Sequence, residues 1–123
     1  MKDIDKSNMR VIIAGGRDFS DYKRLSERVL HLLSAQDQVT IVCGEARGAD
    51  SLGKRLAYEK GWKVLSFPAD WDNYGKTAGY KRNDEMVRNA DALIAFWDGR
   101  SKGTKHMIDL AKKYGLQARI VGY

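Results

Sequence analysis

Residues 39–50 read VTIVCGEARGAD, and the rest of the chain can be arranged around this stretch. It begins with a β-branched run, residues 39–42, of the composition found in strands that are buried on both faces. A glycine loop, residues 44–48, follows, and a helical pattern begins at Ala49. A strand, a glycine loop and a helix start in this order form an anion site when the loop's bare N–H groups point outward. Because the G-x-x-x-G spacing matches neither the dinucleotide fingerprint nor the P-loop, an ordinary strand-to-helix turn is the alternative.

Strand and helix patterns alternate along the whole chain. We predict strands at residues 9–14, 39–42, 62–67, 92–97 and 118–121, and helices at residues 21–34, 49–60, 81–89 and 104–114. Ser20 is the predicted N-cap of the first helix. Such alternation predicts an α/β fold: an open parallel sheet of about five strands with right-handed crossovers and helices on both faces.

Length and composition indicate a small protein with an anionic partner. At 123 residues we expect one domain over residues 9–123 after a flexible tail of residues 1–8. Because the start of the chain is polar and no apolar run approaches membrane-spanning length, we expect a cytoplasmic protein, in a bacterial cell or a phage-infected host, without a membrane partner. The single cysteine, Cys43, predicts a buried thiol. The net charge of +6 indicates a nucleotide, a nucleic acid or an acidic protein as partner.

Three glycine loops are predicted at one edge of the sheet. Residues 15–18, 44–48 and 98–103 each follow a strand, and parallel sheets bind ligands beyond the carboxyl ends of their strands. Basic side chains lie in or beside these loops: Arg17, Arg47, Lys76, Lys81, Arg82, Arg100, Lys102 and Lys105. This convergence favours a binding site over ordinary turns.

Residues 69–80 (ADWDNYGKTAGY) have neither a helical nor a strand period, which predicts a long binding loop. Trp71 and Tyr74 offer flat surfaces for a base, and Lys76 offers a charge. The alternative for Trp71 is that it covers the sheet edge. We interpret Asp50 as a capping carboxylate in the first turn of its helix, and leave contact with a ribose hydroxyl open.

Metal and nucleophile sites are not indicated. Two histidines and one cysteine, well separated, do not form a zinc set. We interpret Asp70, Asp72 and Asp98 as solvated loop carboxylates rather than Mg²⁺ ligands. Because Ser101 has no histidine in its sequence context to activate it, we interpret it at most as a hydrogen-bond donor to a phosphate. We therefore expect no metal and no cofactor.

Five segments carry a resemblance to a known superfamily. They are AGGRDF (residues 14–19), CGEARGAD (residues 43–50), PADW and YGKTAGYKRNDEM (within residues 68–86) and ADALIAFWDGRSKGTKHMI (residues 90–108). With them the chain, from Met9 onward, resembles the SLOG superfamily, which joins the Smf/DprA DNA-processing proteins to the LOG (lysine-decarboxylase-like) nucleoside phosphoribohydrolases. The match is closest to a small branch associated with phages and bacteria.

The resemblance implies a Rossmann-like sheet of order 3-2-1-4-5 that binds a nucleotide or a nucleotide-derived ligand of the ADP-ribose type. Arg82 corresponds to the arginine of the LOG R-x-x-x-M segment. Gly48 is expected to keep a side chain out of the ligand's path rather than to stabilise the fold. Taken together, the expected ligand-binding residues are Gly15, Gly16, Arg17, Gly44, Glu45, Arg47, Gly48, Asp50, Trp71, Tyr74, Lys76, Arg82, Asn83, Ser101, Gly103 and Thr104, of which Gly44, Gly48, Gly103 and Thr104 resemble phosphate-loop residues.

Three functions compete. The first is a binding module that senses or sequesters such a ligand without turnover. The second is a LOG-type hydrolase that cleaves the base–ribose bond of a nucleoside monophosphate, with Arg82 and Glu45 as candidate catalytic residues. The third is single-strand DNA binding of the DprA kind. Against the hydrolase, Met107 stands where the LOG motif G-T-x-x-E has its glutamate, and a thioether cannot transfer a proton. We also expect a homo-oligomer, a dimer or a tetramer.

Overall fold

The structure is a computed structural model that describes residues 8–123, so the predicted tail, apart from Asn8, lies outside the described residues. Five parallel strands form one sheet of order β3-β2-β1-β4-β5, which confirms the predicted α/β fold class and strand order. The strands are β1 (Met9–Gly15), β2 (Val39–Cys43), β3 (Lys63–Ser66), β4 (Ala92–Trp97) and β5 (Gln117–Gly122). The helices are α1 (Tyr22–Leu32), α2 (Ala49–Lys60), α3 (Trp71–Tyr74), α4 (Ala78–Arg88) and α5 (Lys102–Lys113).

Alternate residues of the central strands supply two hydrophobic cores, one on each face of the sheet. On one face Ile13 of β1 belongs to the core that holds Leu25 of α1 and Leu56 of α2. On the other face Ile12 joins the core that holds Met86 of α4 and Ile108 of α5. Side chains of successive strand residues point to opposite faces, so a strand covered by helices on both sides must be apolar throughout. This explains why β1, β2 and β4 are continuous hydrophobic runs.

Two local predictions were wrong, and both concern helix starts. The cap of α1 is Asp21 rather than Ser20, because the Asp21 carboxylate accepts a hydrogen bond from the backbone N–H of Arg24. The stretch predicted as a loop, residues 69–80, is largely helical: Asp70 caps α3, and a 3₁₀ turn (Gly75–Thr77) leads directly into α4. These turns are held by local caps and bury little apolar surface, so they lack the hydrophobic period that identifies a helix in a sequence.

The order of the strands fixes where a ligand can bind. The chain moves outward from β1 to β3 on one side of the sheet, and returns to β4 on the other side of β1. The connections after β1 and β4 therefore diverge and leave a crevice at their carboxyl ends, the usual binding position in open α/β sheets. No helix within residues 8–123 is long and apolar enough to cross a membrane.

Candidate functional site

A cavity of about 420 Å³ lies at the carboxyl ends of β1, β2 and β4, in the crevice that the topology creates. Most of the predicted site residues line it: Gly15, Gly16, Arg17, Gly44, Asp50, Arg82, Asn83, Ser101, Gly103 and Thr104. The structure thus brings together residues from three glycine loops and the middle of α4. Asp18, Asp98, Met86 and Met107 also line the cavity, although the sequence reasoning did not assign them to the site. Asp18 and Asp98 lie in the predicted glycine loops, and this position in the sequence could have assigned them to the site.

A second cavity of about 340 Å³ adjoins the first. Glu45, Arg47 and Trp71 line it, and it shares Arg17, Gly44, Ala46 and Arg82 with the first cavity. Gly48, Tyr74 and Lys76 line neither of the two. Tyr74 is instead half exposed, and the ammonium group of Lys81 lies 4.6 Å from the centre of its ring.

Arg17 and Arg82 are the two charged residues of the wall that the two cavities share. Arg82 is tied to neutral groups: one Nη donates to the carbonyl oxygen of Gly44 at 2.6 Å, and Nε donates to the side-chain oxygen of Asn83 at 3.1 Å. Burial lowers the pKa of Arg82, the negative charge of Asp50 opposes that shift, and the smaller effect of the Arg17 charge acts in the same direction as burial. Among residues 8–123, neither guanidinium is in a salt bridge with a carboxylate. The shared wall is therefore a concentration of positive charge.

Asp50 does not cap its own helix as predicted. Its buried carboxylate accepts hydrogen bonds from the backbone N–H groups of Gly44 at 3.0 Å and Ala46 at 2.7 Å, and the thiol of Cys43 lies 3.4 Å away. The expectation of bare N–H groups in this loop was therefore wrong at Gly44 and Ala46, because a carboxylate of the chain itself already occupies them. Burial raises the pKa of Asp50, and the two backbone N–H groups oppose that shift.

Cys43 is expected to be unreactive toward alkylating reagents in the native protein. Burial next to the Asp50 carboxylate raises the pKa of its thiol to about 12. At pH 8 about one thiol in 10⁴ is then ionised, and only the thiolate is nucleophilic. We expect modification by iodoacetamide to be about a thousandfold slower than for a free cysteine, and to become fast in urea. Mass spectrometry over time measures both rates, and rapid labelling of folded protein would contradict the buried environment of the thiol.

The two glycines of the β2–α2 loop have different roles. Gly48 has a φ of 80°, and a Cβ there would lie 2.0 Å from the carbonyl oxygen of Gly16 and 2.7 Å from the Cα of Arg17. The expectation that Gly48 does not stabilise the fold is thus wrong, because Gly48 lets the loop pack against the β1 loop; its place in the ligand's path stays a prediction. At Gly44 a Cβ would lie 2.8 Å from the Cδ of Arg82. Gly44 therefore makes room for that side chain beside the cavity.

The start of α5 forms the opposite side of the first cavity. Ser101 caps the helix, and its hydroxyl oxygen lies 3.0 Å from that of the buried Thr104. Asp98 accepts hydrogen bonds from the backbone N–H groups of Arg100 and Ser101, which lower the pKa of its carboxyl. The cap and the turn fix the shape of this loop. Met107 lines the cavity one turn further along the helix.

Glu45, the carboxylate considered for catalysis, does not line the first cavity. It forms a 2.8 Å ion pair with Lys54 and accepts a 2.6 Å hydrogen bond from the hydroxyl of Ser66. These two contacts lower the pKa of Glu45, so the group is ionised at neutral pH. No cluster of three or more His, Cys, Asp or Glu side chains within residues 8–123 is arranged to hold a metal ion.

Comparisons with known proteins agree with this architecture. A model of the "YspA, cpYpsA-related SLOG family" matches residues 9–74. The "Gene 61 protein" of Mycobacterium phage D29 is 39% identical over 114 residues, which cover 87% of this chain and 91% of that protein. The X-ray structure of DNA processing protein A (DprA) from Streptococcus pneumoniae matches with a TM-score of 0.74 at 18% identity. That match covers 94% of this chain and 50% of the DprA chain, and it shows a shared fold.

Proposed function

Because the chain belongs to the YspA, cpYpsA-related SLOG family, we propose that it binds a nucleotide or a nucleotide-derived signalling ligand of the ADP-ribose type, without turnover, at the carboxyl edge of the sheet. Family membership supports, at a coarser level, a function related to nucleotides or nucleic acids. In this proposal residues 9–123 act as one nucleotide-binding domain that senses or sequesters its ligand.

The observation that carries the proposal is the pair of guanidinium groups, Arg17 and Arg82, on the wall between the two cavities. Arg82 is partly buried and Arg17 is exposed, and the charge of Arg17 lowers the pKa of Arg82, so an anion beside both arginines relieves an unfavourable interaction. A guanidinium presents its N–H groups in a planar fork that matches the oxygens of a phosphate. The phosphate group of a nucleotide is the ligand that fits this arrangement.

The two cavities provide space for the rest of such a ligand. Their volumes of about 420 and 340 Å³ fall within the range usual for small-molecule sites. In the second cavity Trp71 is half exposed and offers an aromatic face on which a base can stack. In the first, Asp18 and Asp98 offer carboxylate oxygens that can accept hydrogen bonds from ribose hydroxyls.

The same geometry argues against glycosidic hydrolysis. Met107, in the cavity wall, has no proton to transfer and no charge to stabilise a developing cation. Glu45 is ionised and engaged with Lys54 and Ser66, so it is unsuited to act as a general acid. Loss of acid–base assistance typically lowers a rate by about 10²–10⁴-fold.

The proposal is tested by calorimetric titration of the protein with AMP and with ADP-ribose, followed by chromatography of each mixture. We expect saturable binding and no free base after prolonged incubation. Mass spectrometry of small molecules released on denaturation would identify a ligand that co-purifies. Base release at enzymatic rates that is lost in Arg82→Ala would establish the hydrolase instead.

Single-stranded nucleic acid is a second candidate, favoured by one surface. Trp71, Tyr74 and Tyr80 are each about half exposed, and Lys76 and Lys81 lie in the same stretch of chain. Exposed aromatic rings between basic residues are typical of surfaces on which successive bases stack. The salt dependence of affinity distinguishes the two candidate ligands. Single-stranded nucleic acid makes several phosphate contacts, so its affinity should fall steeply with salt concentration, whereas the affinity for a nucleotide with one phosphate group should fall only slightly.

Assembly and location complete the proposal. We propose a homo-oligomer, a dimer or a tetramer, in the cytoplasm of a bacterial cell or a phage-infected host. The phage relative supports the second setting. Light scattering coupled to size exclusion measures the oligomeric state directly.

A further inference from the structure

Asn83 is a buried side chain whose hydrogen-bonding groups are all engaged within the protein. Its oxygen accepts from Nε of Arg82 at 3.1 Å. Its amide nitrogen lies 3.4 Å from the carbonyl oxygen of Gly103 and 3.1 Å from Nδ1 of His106. Because an amide nitrogen carries two hydrogens, these two contacts use both of them. Asn83 is therefore better suited to holding its neighbours than to contacting a ligand.

The partners of Asn83 determine the proton position on His106. Arg82 can only donate and the carbonyl of Gly103 can only accept, so the amide of Asn83 has one acceptable orientation. Its nitrogen then faces His106 as a donor, and Nδ1 of His106 must accept. The imidazole is thus neutral, with its proton on Nε2.

We propose that Asn83 is a positioning residue that fixes Nε of Arg82, and with it the orientation of the guanidinium in the cavity wall, only while His106 is neutral. This inference rests on the proposed function, because it gives Arg82 a part in ligand binding. A protonated imidazole donates from both nitrogens, which sets two donors against each other at Nδ1. If the amide of Asn83 rotates by 180°, its oxygen can accept from the protonated Nδ1 of His106. Its NH₂ group then faces Nε of Arg82, which is also a donor, so the hydrogen bond to Arg82 is lost. Protonation of His106 therefore breaks the bond between Nε of Arg82 and Asn83, and leaves the guanidinium held by the carbonyl oxygen of Gly44 alone.

The surroundings of His106 favour its neutral form. From α4 the ring of Tyr80 packs edge-on at 4.5 Å between ring centres, and Asp84 lies on the same helix. From α5 itself Lys102, Lys105 and Asp109 line the open cavity beside the imidazole. Burial lowers the pKa of His106, while the charges of Asp109 and Asp84 oppose that shift. Ligand affinity should accordingly be constant above the pKa of His106 and fall as the pH drops through it.

The first experiment needs no ligand. Nitrogen-15 NMR of the imidazole groups reports the tautomer of His106, and His31 provides a reference signal from the only other histidine in the chain. We expect the Nε2–H tautomer, and a change in the Arg82 Nε signal when His106 becomes protonated. In Asn83→Asp the carboxylate places an acceptor beside Nδ1, so the pKa of His106 should rise above its wild-type value. The proposal would be overturned by an Nδ1–H tautomer in the wild type, or by an Arg82 Nε signal that does not change when His106 becomes protonated.

The second experiment follows ADP-ribose affinity between pH 8 and pH 5.5. This ligand has no phosphate monoester, the group whose second ionisation falls near pH 6 and would obscure the profile. For the wild type we expect the affinity at the acidic end to be lower than at pH 8, by a factor that grows up to tenfold for each further unit that the pH falls below the pKa of His106, which burial lowers. His106→Asn keeps an acceptor near the position of Nδ1 but does not titrate, so its affinity should equal that of the wild type at pH 8 and stay flat. Asn83→Ala should lose about tenfold at every pH.

The outcomes separate the two proposals. If the wild type does not bind ADP-ribose at any pH, the proposed function fails for this ligand, while NMR still decides the link between His106, Asn83 and Arg82. If the wild type binds but His106→Asn retains its pH profile, or Asn83→Ala binds normally, the positioning role is wrong.

Discussion

Arg82→Ala is expected to weaken the binding of AMP and ADP-ribose at least about tenfold. Arg82 is held in the shared wall by Gly44 and Asn83, and it donates there to no carboxylate in the described part of the chain. Hydrogen bonds to a charged group contribute about 1.5–3 kcal/mol each, and 1.4 kcal/mol corresponds to one decade in affinity. Calorimetry at fixed salt measures the loss, and circular dichroism checks the fold.

Arg88→Ala is the matched control, since it removes the same charge from the same helix. Arg88 is exposed and forms an i,i+4 ion pair with Asp84, away from both cavities. Its loss should change affinity by less than about twofold, since exposed ion pairs contribute little. Equal losses in the two variants would mean that only net charge matters. Unchanged affinity in a folded Arg82→Ala variant would contradict a shared phosphate site.

Gly48→Ala is expected to destabilise the fold by about 3 kcal/mol or more. Its φ of 80° and ψ of −134° fall in a region almost confined to glycine, where other residues incur about 1–3 kcal/mol of strain. In addition, the new Cβ would meet the backbone of Gly16 and Arg17, which cannot move as a flexible side chain can. Urea denaturation with a constant m value measures the change.

Gly61→Ala provides the comparison from the opposite end of α2. Gly61 also has a positive φ, 71°, but a Cβ there meets no atom within 4 Å. Only the left-handed backbone penalty of about 1–2 kcal/mol applies. The difference between the two variants reports the packing of the β2–α2 loop on the β1 loop together with the less accessible backbone conformation of Gly48. Equal destabilisation would show that no close packing exists at Gly48.

Most of the fold could be predicted from the sequence. The apolar runs of β1, β2 and β4 are diagnostic because helices cover both faces of the sheet, and the helical periods of α1, α2 and α5 follow from one buried side. The strand order came from the resemblance to SLOG proteins rather than from any pattern, and both the order and the family are confirmed.

The site was less predictable, because its details depend on contacts between distant segments. A carboxylate at the first turn of a helix looks like a cap in any sequence, and only the folded loop reveals that Asp50 bonds Gly44 and Ala46 instead. Likewise the close neighbours of Gly48, which are Gly16 and Arg17, are far away from it in sequence. The ligand-binding roles of the site residues stay predictions.

The carboxylate of Asp50 has a consequence for how quickly and how tightly a ligand can be captured. Because it bonds two N–H groups of the loop between β2 and α2, the loop has its internal partners before any ligand arrives. A ligand then meets a preorganised wall, and little affinity is lost to ordering the loop. Association is accordingly expected to follow a single bimolecular step, with a rate that rises linearly with ligand concentration instead of reaching a plateau set by loop closure.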